Sequence, residues 1–335
     1  MRSDYTAVGR RVVVVWALSL LWFAPAASAQ PTAEQVLTDA GLSADAKQKV
    51  LNGEFYSGDL SALSDKDLSV SLAFMVKAAP ADLMGQIMAG NFVTADSQVQ
   101  AYGKFNGAGS LGDLSGLQVS SGAAQSLMGA QAGSSLNLST AEIAAFAALQ
   151  GGTQQAVQQQ LQHMLLARFQ AYQTSGLPGI VPYDRGGGST ASPGNELREA
   201  SQGAAGLQKY LPAFQAALLG YPQATVPGMQ QNFYWLNYNI DGTPTFVLTH
   251  VMAAADGAAR AVVQRQYYVS TGYNCEQAIA GFLPVQGGTV VVYANHTFTD
   301  QVAGFGGSMK RSIGRRMMAS KLKQMFDTAR GMVTQ

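Results

Sequence analysis

Cysteine is nearly missing from this chain of 335 residues: Cys275 is the only one. A single thiol excludes an intramolecular disulfide, so the fold must be held by its core. Charge is scarce as well. Asp, Glu, Lys and Arg make up 12% of the residues, against about 25% in ordinary soluble proteins, and Gln, Ser, Asn and Gly carry the surface instead. The chain has no G-x-S-x-G. Ser320 and Lys323 match S-x-x-K, but the companion S-D-N and K-T-G are missing. Gly304-Phe305-Gly306-Gly307-Ser308 lacks the G-K-[ST] ending of a phosphate-binding loop and reads as a hinge. These absences remove the usual signatures of nucleophilic-serine and P-loop chemistry. No stretch beyond residue 29 approaches the ~20 apolar residues of a membrane span.

What is present begins with an export signal. Arg2, Arg10 and Arg11 form a positive start, Val12 to Phe23 an apolar run, and Ala27-Ser28-Ala29 a small-residue cleavage site before Gln30. The run of about 12 residues is too short to cross a bilayer. Residues 1–29 are therefore expected to be a signal peptide, and the mature protein to be periplasmic or secreted. Charge is distributed unevenly in what remains. From 301 onward lie Lys310, Arg311, Arg315, Arg316, Lys321, Lys323 and Arg330 against one acid, Asp327. Such a basic tail docks on an acidic body or on an external anion.

Local patterns divide the mature chain into a mainly helical region, 30–184, a Gly/Ser-rich linker or long surface loop, 185–194, and a sheet-bearing region, 195–335. Residues 32–52 predict a short helix pair around Gly41-Leu42-Ser43. Residues 68–76 fit both helical and strand periods, and their Ser and Val content favours strand. Pro80 opens a helix to 89, and 91–119 look extended. Ser139-Thr140-Ala141-Glu142 is a capping box. Over 153–174, Val157, Leu161, Met164, Leu165, Arg168, Phe169 and Tyr172 share one helical face. A helix kinked at Pro212 is expected from Asn195 to Leu219. Strands are expected at 233–240, 245–253, 261–270 and 289–299, with turns at Asp241-Gly242 and Asp256-Gly257 and a longer connection over 271–288. Residues 308–332 predict an amphipathic helix. Its apolar face holds Met318, Leu322, Met325, Phe326 and Ala329.

Strand alternation places His250 with Phe246, Leu248 and Met252, and His296 with Val290, Val292 and Phe298. A polar group on such a face needs a partner. The two imidazoles read either as satisfied core residues or as polar groups lining an apolar cavity. Arg265, flanked by Val263 and Tyr267, reads as an anion-neutralising group or as an edge residue reaching solvent. Trp235 and Tyr267 belong to a run of aromatics with polar tips, suited to a cavity wall or to ordinary sheet packing. His250, His296, Arg265, Tyr267 and Trp235 are the candidate ligand-binding residues. No metal site is expected, because no Asp, Glu or Cys lies within the two histidine strands. No cofactor is expected, and no catalytic residue is assigned. Asn137-Leu138-Ser139 and Asn295-His296-Thr297 are glycosylation sequons.

The order of elements resembles that of the START-like (helix-grip, SRPBCC) superfamily. The likeness rests on Val70 to Lys77, then Ala78-Ala79-Pro80-Ala81-Asp82 opening a helix, then extended segments, and finally antiparallel strands 233–299 before a C-terminal helix. It covers roughly 64–119 and 195–332; residues 120–190 have no counterpart. The resemblance implies an α+β fold, a curved antiparallel sheet around the last helix, and an apolar cavity that binds lipids or other hydrophobic ligands. It transfers no residue role. The expected function is binding of a hydrophobic small molecule or lipid, with an enzyme using the cavity histidines, or an envelope-associated interaction module, as alternatives. The basic helix offers a contact with an anionic membrane surface. Nucleic acid is not an expected partner, since aromatics interleaved with the basic residues for base stacking are missing from that helix.

Overall fold

The computed structural model describes residues 31–89, 96–240 and 242–303, with Val93 and Lys323. The signal peptide expected over 1–29 and the C-terminal helix expected over 308–332, Lys323 apart, lie outside the described residues. The chain is α+β. Its main element is an antiparallel sheet ordered β1-β2-β10-β9-β8-β7-β6-β3. The strands are β1 (Tyr56–Asp59), β2 (Asp67–Val76), β3 (Val99–Lys104), β6 (Gln230–Ile240), β7 (Thr243–Asp256), β8 (Ala259–Val269), β9 (Cys275–Val285) and β10 (Gly288–Phe298). β4 (Tyr183–Asp184) and β5 (Thr190–Ala191) pair separately.

The meander β6 to β10 follows from β-branched and aromatic runs punctuated by glycine. Gly257, at φ +55°, turns β7 into β8, a conformation that side chains resist. Gly288 is held by space: a Cβ there would lie 2.3 Å from the Val76 carbonyl oxygen. The connection expected over 271–288 is largely strand. β9 pairs along its length with β10 and also with β8. Its Ala, Gly281 and Pro284 are weak strand formers, and burial between two neighbours overrides that preference. Residues 67–76 are strand, paired with β10 from Asp67–Phe298 to Val76–Thr289.

Alternation gives the sheet two buried faces. The first carries Phe233, Leu248, Met252, Val263, Ile279, Leu283 and Val290. Helices α1 (Ala33–Asp39), α2 (Ala44–Leu51), α4 (Ser121–Met128), α5 (Thr140–Ala147), α6 (Gln154–Ser175), α7 (Pro193–Gln202), α8 (Ala205–Tyr210) and α9 (Pro212–Gly220) contribute to the clusters on this face. The helix expected from 195 to 219 is thus three helices, broken at Gly203 and Pro212, where proline removes a helical donor. The second face carries Phe74, Tyr234, Val251, Val262, Phe282 and Val291, against Leu83, Met84, Ile87 and Met88 of α3 (Pro80–Met88).

Helix α6 buries its whole expected face. One member of that face is charged. Arg168 Nε and Nη2 donate to Glu142 at 2.7 and 2.6 Å, and its guanidinium lies over the Tyr268 ring. Glu142 also closes the capping box of α5. One acid therefore starts one helix and neutralises the next.

Candidate functional site

Register alone assembles a polar row on the first face. His250 lies opposite Arg265, Arg265 opposite Gln277, Gln277 opposite His296, and His296 opposite Ser69. The row crosses β7, β8, β9, β10 and β2. The two histidines are three strand steps apart, about 14 Å at a strand spacing of 4.7–4.9 Å. They share a face but not a contact.

Arg265 is fully buried and makes no ion pair among the described residues. Every acceptor that it meets is neutral. Nε donates to Gln277 Oε1 at 3.1 Å, Nη1 to Tyr172 Oη at 3.1 Å, and Nη2 to Ser201 Oγ at 3.0 Å and the Leu218 carbonyl at 3.1 Å. These bonds tie β8 to β9, α6, α7 and α9. The geometry spreads a positive charge over dipoles, and the guanidinium does not reach solvent.

His250 continues the chain. Tyr172 already accepts from Arg265, so its hydroxyl hydrogen goes to His250 Nδ1, 3.0 Å away. His250 Nε2–H then donates to Gln231 Oε1 at 3.2 Å. This tautomer follows from consistency of donors and acceptors. Burial, and secondarily Arg265, holds the His250 pKa well below the usual imidazole range. Its ring stacks on Phe233 at 4.0 Å and lies 4.7 Å from Tyr221. Tyr267 stacks on Tyr172 at 4.1 Å. Trp235 sits nearer the β3 edge, where its Nε1 donates to the Asp113 carbonyl at 2.7 Å. His250, Arg265 and Tyr267 therefore meet through Tyr172, while Trp235 is held elsewhere.

His296 has a different setting. Its Nδ1 lies 2.8 Å from Asp67 Oδ2, and both side chains are buried. Asp67 Oδ2 also accepts from the Leu63 amide at 2.8 Å. A carboxylate only accepts, so the imidazole proton is on Nδ1. Among the described residues Nε2 has no hydrogen bond. His296 lines a cavity of about 180 Å³. The floor is Ser71, Ile279, Gly281, Leu283, Val292 and Ala294 from β2, β9 and β10; the roof is Val36, Leu42, Ala200, Leu207, Tyr210 and Leu211. At the rim, Asp39 binds Lys209 and Tyr210, which hold its carboxyl below the usual range. Of the five candidate residues, His296 alone lines this cavity.

A second polar cluster fastens the end of the sheet. Segment 185–194 forms the turn and return strand of the β4–β5 hairpin and enters the first turn of α7, and Arg185 joins Asp300, Asn137 and Asn274. Asn274 donates to Glu196, whose carboxyl is pushed up by burial, and Cys275 lies 3.4 Å from the same acid. The thiol is buried, and burial pushes its pKa up, so it is not a nucleophile. Asn137 is buried and donates to the Val269 and Tyr273 carbonyls; Asn295 is buried as well. Neither sequon asparagine is open to modification in the folded chain.

Asp67, Gln277, Tyr172 and Ser201 complete these networks. Tyr172 was visible on the face of α6. Asp67 gave no signal of this pairing: locally Ser64-Asp65-Lys66-Asp67 reads as a helix cap, and His296 stands 229 residues away. Among the described residues no group of His, Cys, Asp and Glu is arranged to hold a metal ion, and no helix is long and apolar enough to cross a membrane. Set against family models, curated proteins and solved structures, the chain matches none of them.

Proposed function

We propose that this is an exported protein that binds a small hydrophobic molecule in the cavity between α1, α7, α8 and the sheet. The carrying observation is the cavity: its walls are mainly aliphatic and one imidazole stands in them. Its size suits one chain or ring. An apolar void of ~150 Å³ is known to take benzene. Export is supported by the charged, apolar and small-residue parts of residues 1–29. A START-like arrangement is supported by the element order β2, α3, β3, then β6 to β10. Lys323 Nζ lies 5.6 Å from the centre of the Phe55 ring beside Phe74, on the second face. The cavity lies on the opposite face.

Two measurements test the proposal. Protein recovered from the non-cytoplasmic fraction is expected to begin at Gln30; an intact Met1 overturns the export half. Half-buried Ala294 shares the floor face with Ile279 and Ser71. Ala294→Leu should fill the cavity, lowering the affinity for a one-ring apolar probe such as benzene by tenfold or more and leaving the melting temperature nearly unchanged. Unchanged uptake by a folded variant would reject the cavity as the site.

A second reading, an enzyme, is favoured by the Asp67–His296 contact. A carboxylate that orients Nδ1 and leaves Nε2 toward a cavity is the geometry of a general base. His296 would then take a proton from a bound hydroxyl or water. Turnover of esters of short-chain acids by the wild type, lost in His296→Phe, would establish it; no turnover leaves binding as the function.

A further inference from the structure

The mouth of the cavity already holds a carboxylate, and it is the chain's own. Asp39, the last residue of α1, and Tyr210, the last residue of α8, both line the cavity. The Asp39 side chain is 20% exposed, so its carboxyl marks where the cavity meets solvent. Tyr210 Oη donates to Asp39 Oδ2, and Lys209 Nζ pairs with the same oxygen. The Tyr210 ring packs against two of the apolar clusters on this face, which fixes the position of its hydroxyl. The Lys209 ammonium lies 5.7 Å from the centre of that ring. Two adjacent residues of α8 thus converge on one carboxylate oxygen. Lys209, and after it Tyr210, holds the Asp39 carboxyl below its usual range. As a fastening the contact is weak, because Lys209 is 53% exposed and exposed ion pairs contribute little to stability.

We propose that Lys209 and Tyr210 form the headgroup site of the cavity, and that the ligand is an apolar carboxylate whose head takes this pair from Asp39 while its tail fills the cavity. The inference rests on the cavity-binding reading and names its ligand class. A charged head placed among the aliphatic walls would be costly without a partner. At the mouth it keeps water on one side and meets an ammonium and a hydroxyl on the other. Such charge-assisted bonds are stronger than those a neutral head can make. The tail lies along Leu207 and Leu211 of the roof and Ile279 and Leu283 of the floor. Asp39 gives way toward the solvent that it already touches, so its displacement costs little. Asp39 is in this sense a stand-in for the ligand head, and it closes α1 onto α8.

The test is titration calorimetry on the mature protein with two probes of equal chain length, hexanoate and hexanol, at about pH 7, where a carboxylic acid is ionised. Six carbons suit a cavity of about 180 Å³, since a void of ~150 Å³ takes benzene. Asp39→Ala removes the competitor, and the ratio of hexanoate to hexanol affinity is expected to rise about threefold to fivefold, the scale of one exposed ion pair. Lys209→Gln should lower that ratio, and added salt should lower it in the wild type. A readout on the wild type depends on no variant folding: hexanoate, and not hexanol, should shift the Asp39 carboxyl carbon resonance. An unmoved Asp39 resonance on hexanoate binding, or a ratio unchanged in both variants, overturns the headgroup assignment and leaves the cavity reading standing. Binding of neither probe to the wild type overturns both.

Discussion

A neutral imidazole sealed among aromatic rings leaves a mark on the pH dependence of stability. Native His250 resists protonation because of its burial and the nearby Arg265, while in the unfolded chain it titrates near 6.5. Above about pH 6.5 both states are neutral and the residue's contribution is intact. As pH falls below that value the unfolded chain takes up a proton that the native state refuses. Stability then drops by about 1.4 kcal/mol per pH unit, down to the depressed native value. Glu196 acts with the opposite sign, since its native carboxyl keeps its proton above the usual range. His250→Phe isolates the histidine: urea melts between pH 4.5 and 7, values set around the ordinary carboxylate and imidazole ranges, should show a flatter slope in the variant than in the wild type. Identical slopes would mean that His250 is protonated in the native state. Alternation along the strands was enough to place His250, Arg265 and His296 each on an apolar strand face; that the three share one face of the sheet follows only from register. Alternation did not separate the packed histidine from the cavity histidine. That difference depends on Tyr172 and Asp67, which reach the two rings from 78 and 229 residues away in sequence.

Among the elements, legibility followed the strength of the local signal. Helix α6 could be read with its complete buried face, because polar Gln residues alternate with Leu, Met and Phe at helical spacing. The capping box at Ser139 and Glu142 gave the start of α5. Strand β9 was missed because Cys275–Val285 has few β-branched residues and carries Gly281 and Pro284. Its strand state is imposed by β8 and β10 on its two sides, information no local window contains. β2 was ambiguous for the same reason: a Ser/Val alternation becomes a strand once β10 lies beside it. Gln277 went unnoticed with β9, and the polar row with it, since a row across a sheet exists only after register is known.

At the scale of the whole molecule, the sheet joins distant parts of the chain. β2 closes one side of the meander and β3 the other, although both precede residue 185. A fragment beginning at residue 195 would leave β10 and β6 as long unpaired edges. It is expected to be insoluble alone and to regain solubility when co-expressed with residues 30–184. A soluble fragment with a cooperative melt would show that the meander is self-sufficient. The same pairing sets a schedule. Asp67 and His296 stand 229 residues apart, so at about 5–20 residues per second β2 waits roughly 10–50 s for its neighbour to be synthesised. Through that interval Val70, Leu72 and Phe74, all buried in the finished protein, have no β10 to pair with. Closure of the sheet therefore cannot begin before β10 has been made. A chain that stalls before residue 288 is left with an open apolar edge, a target for holding chaperones and proteases.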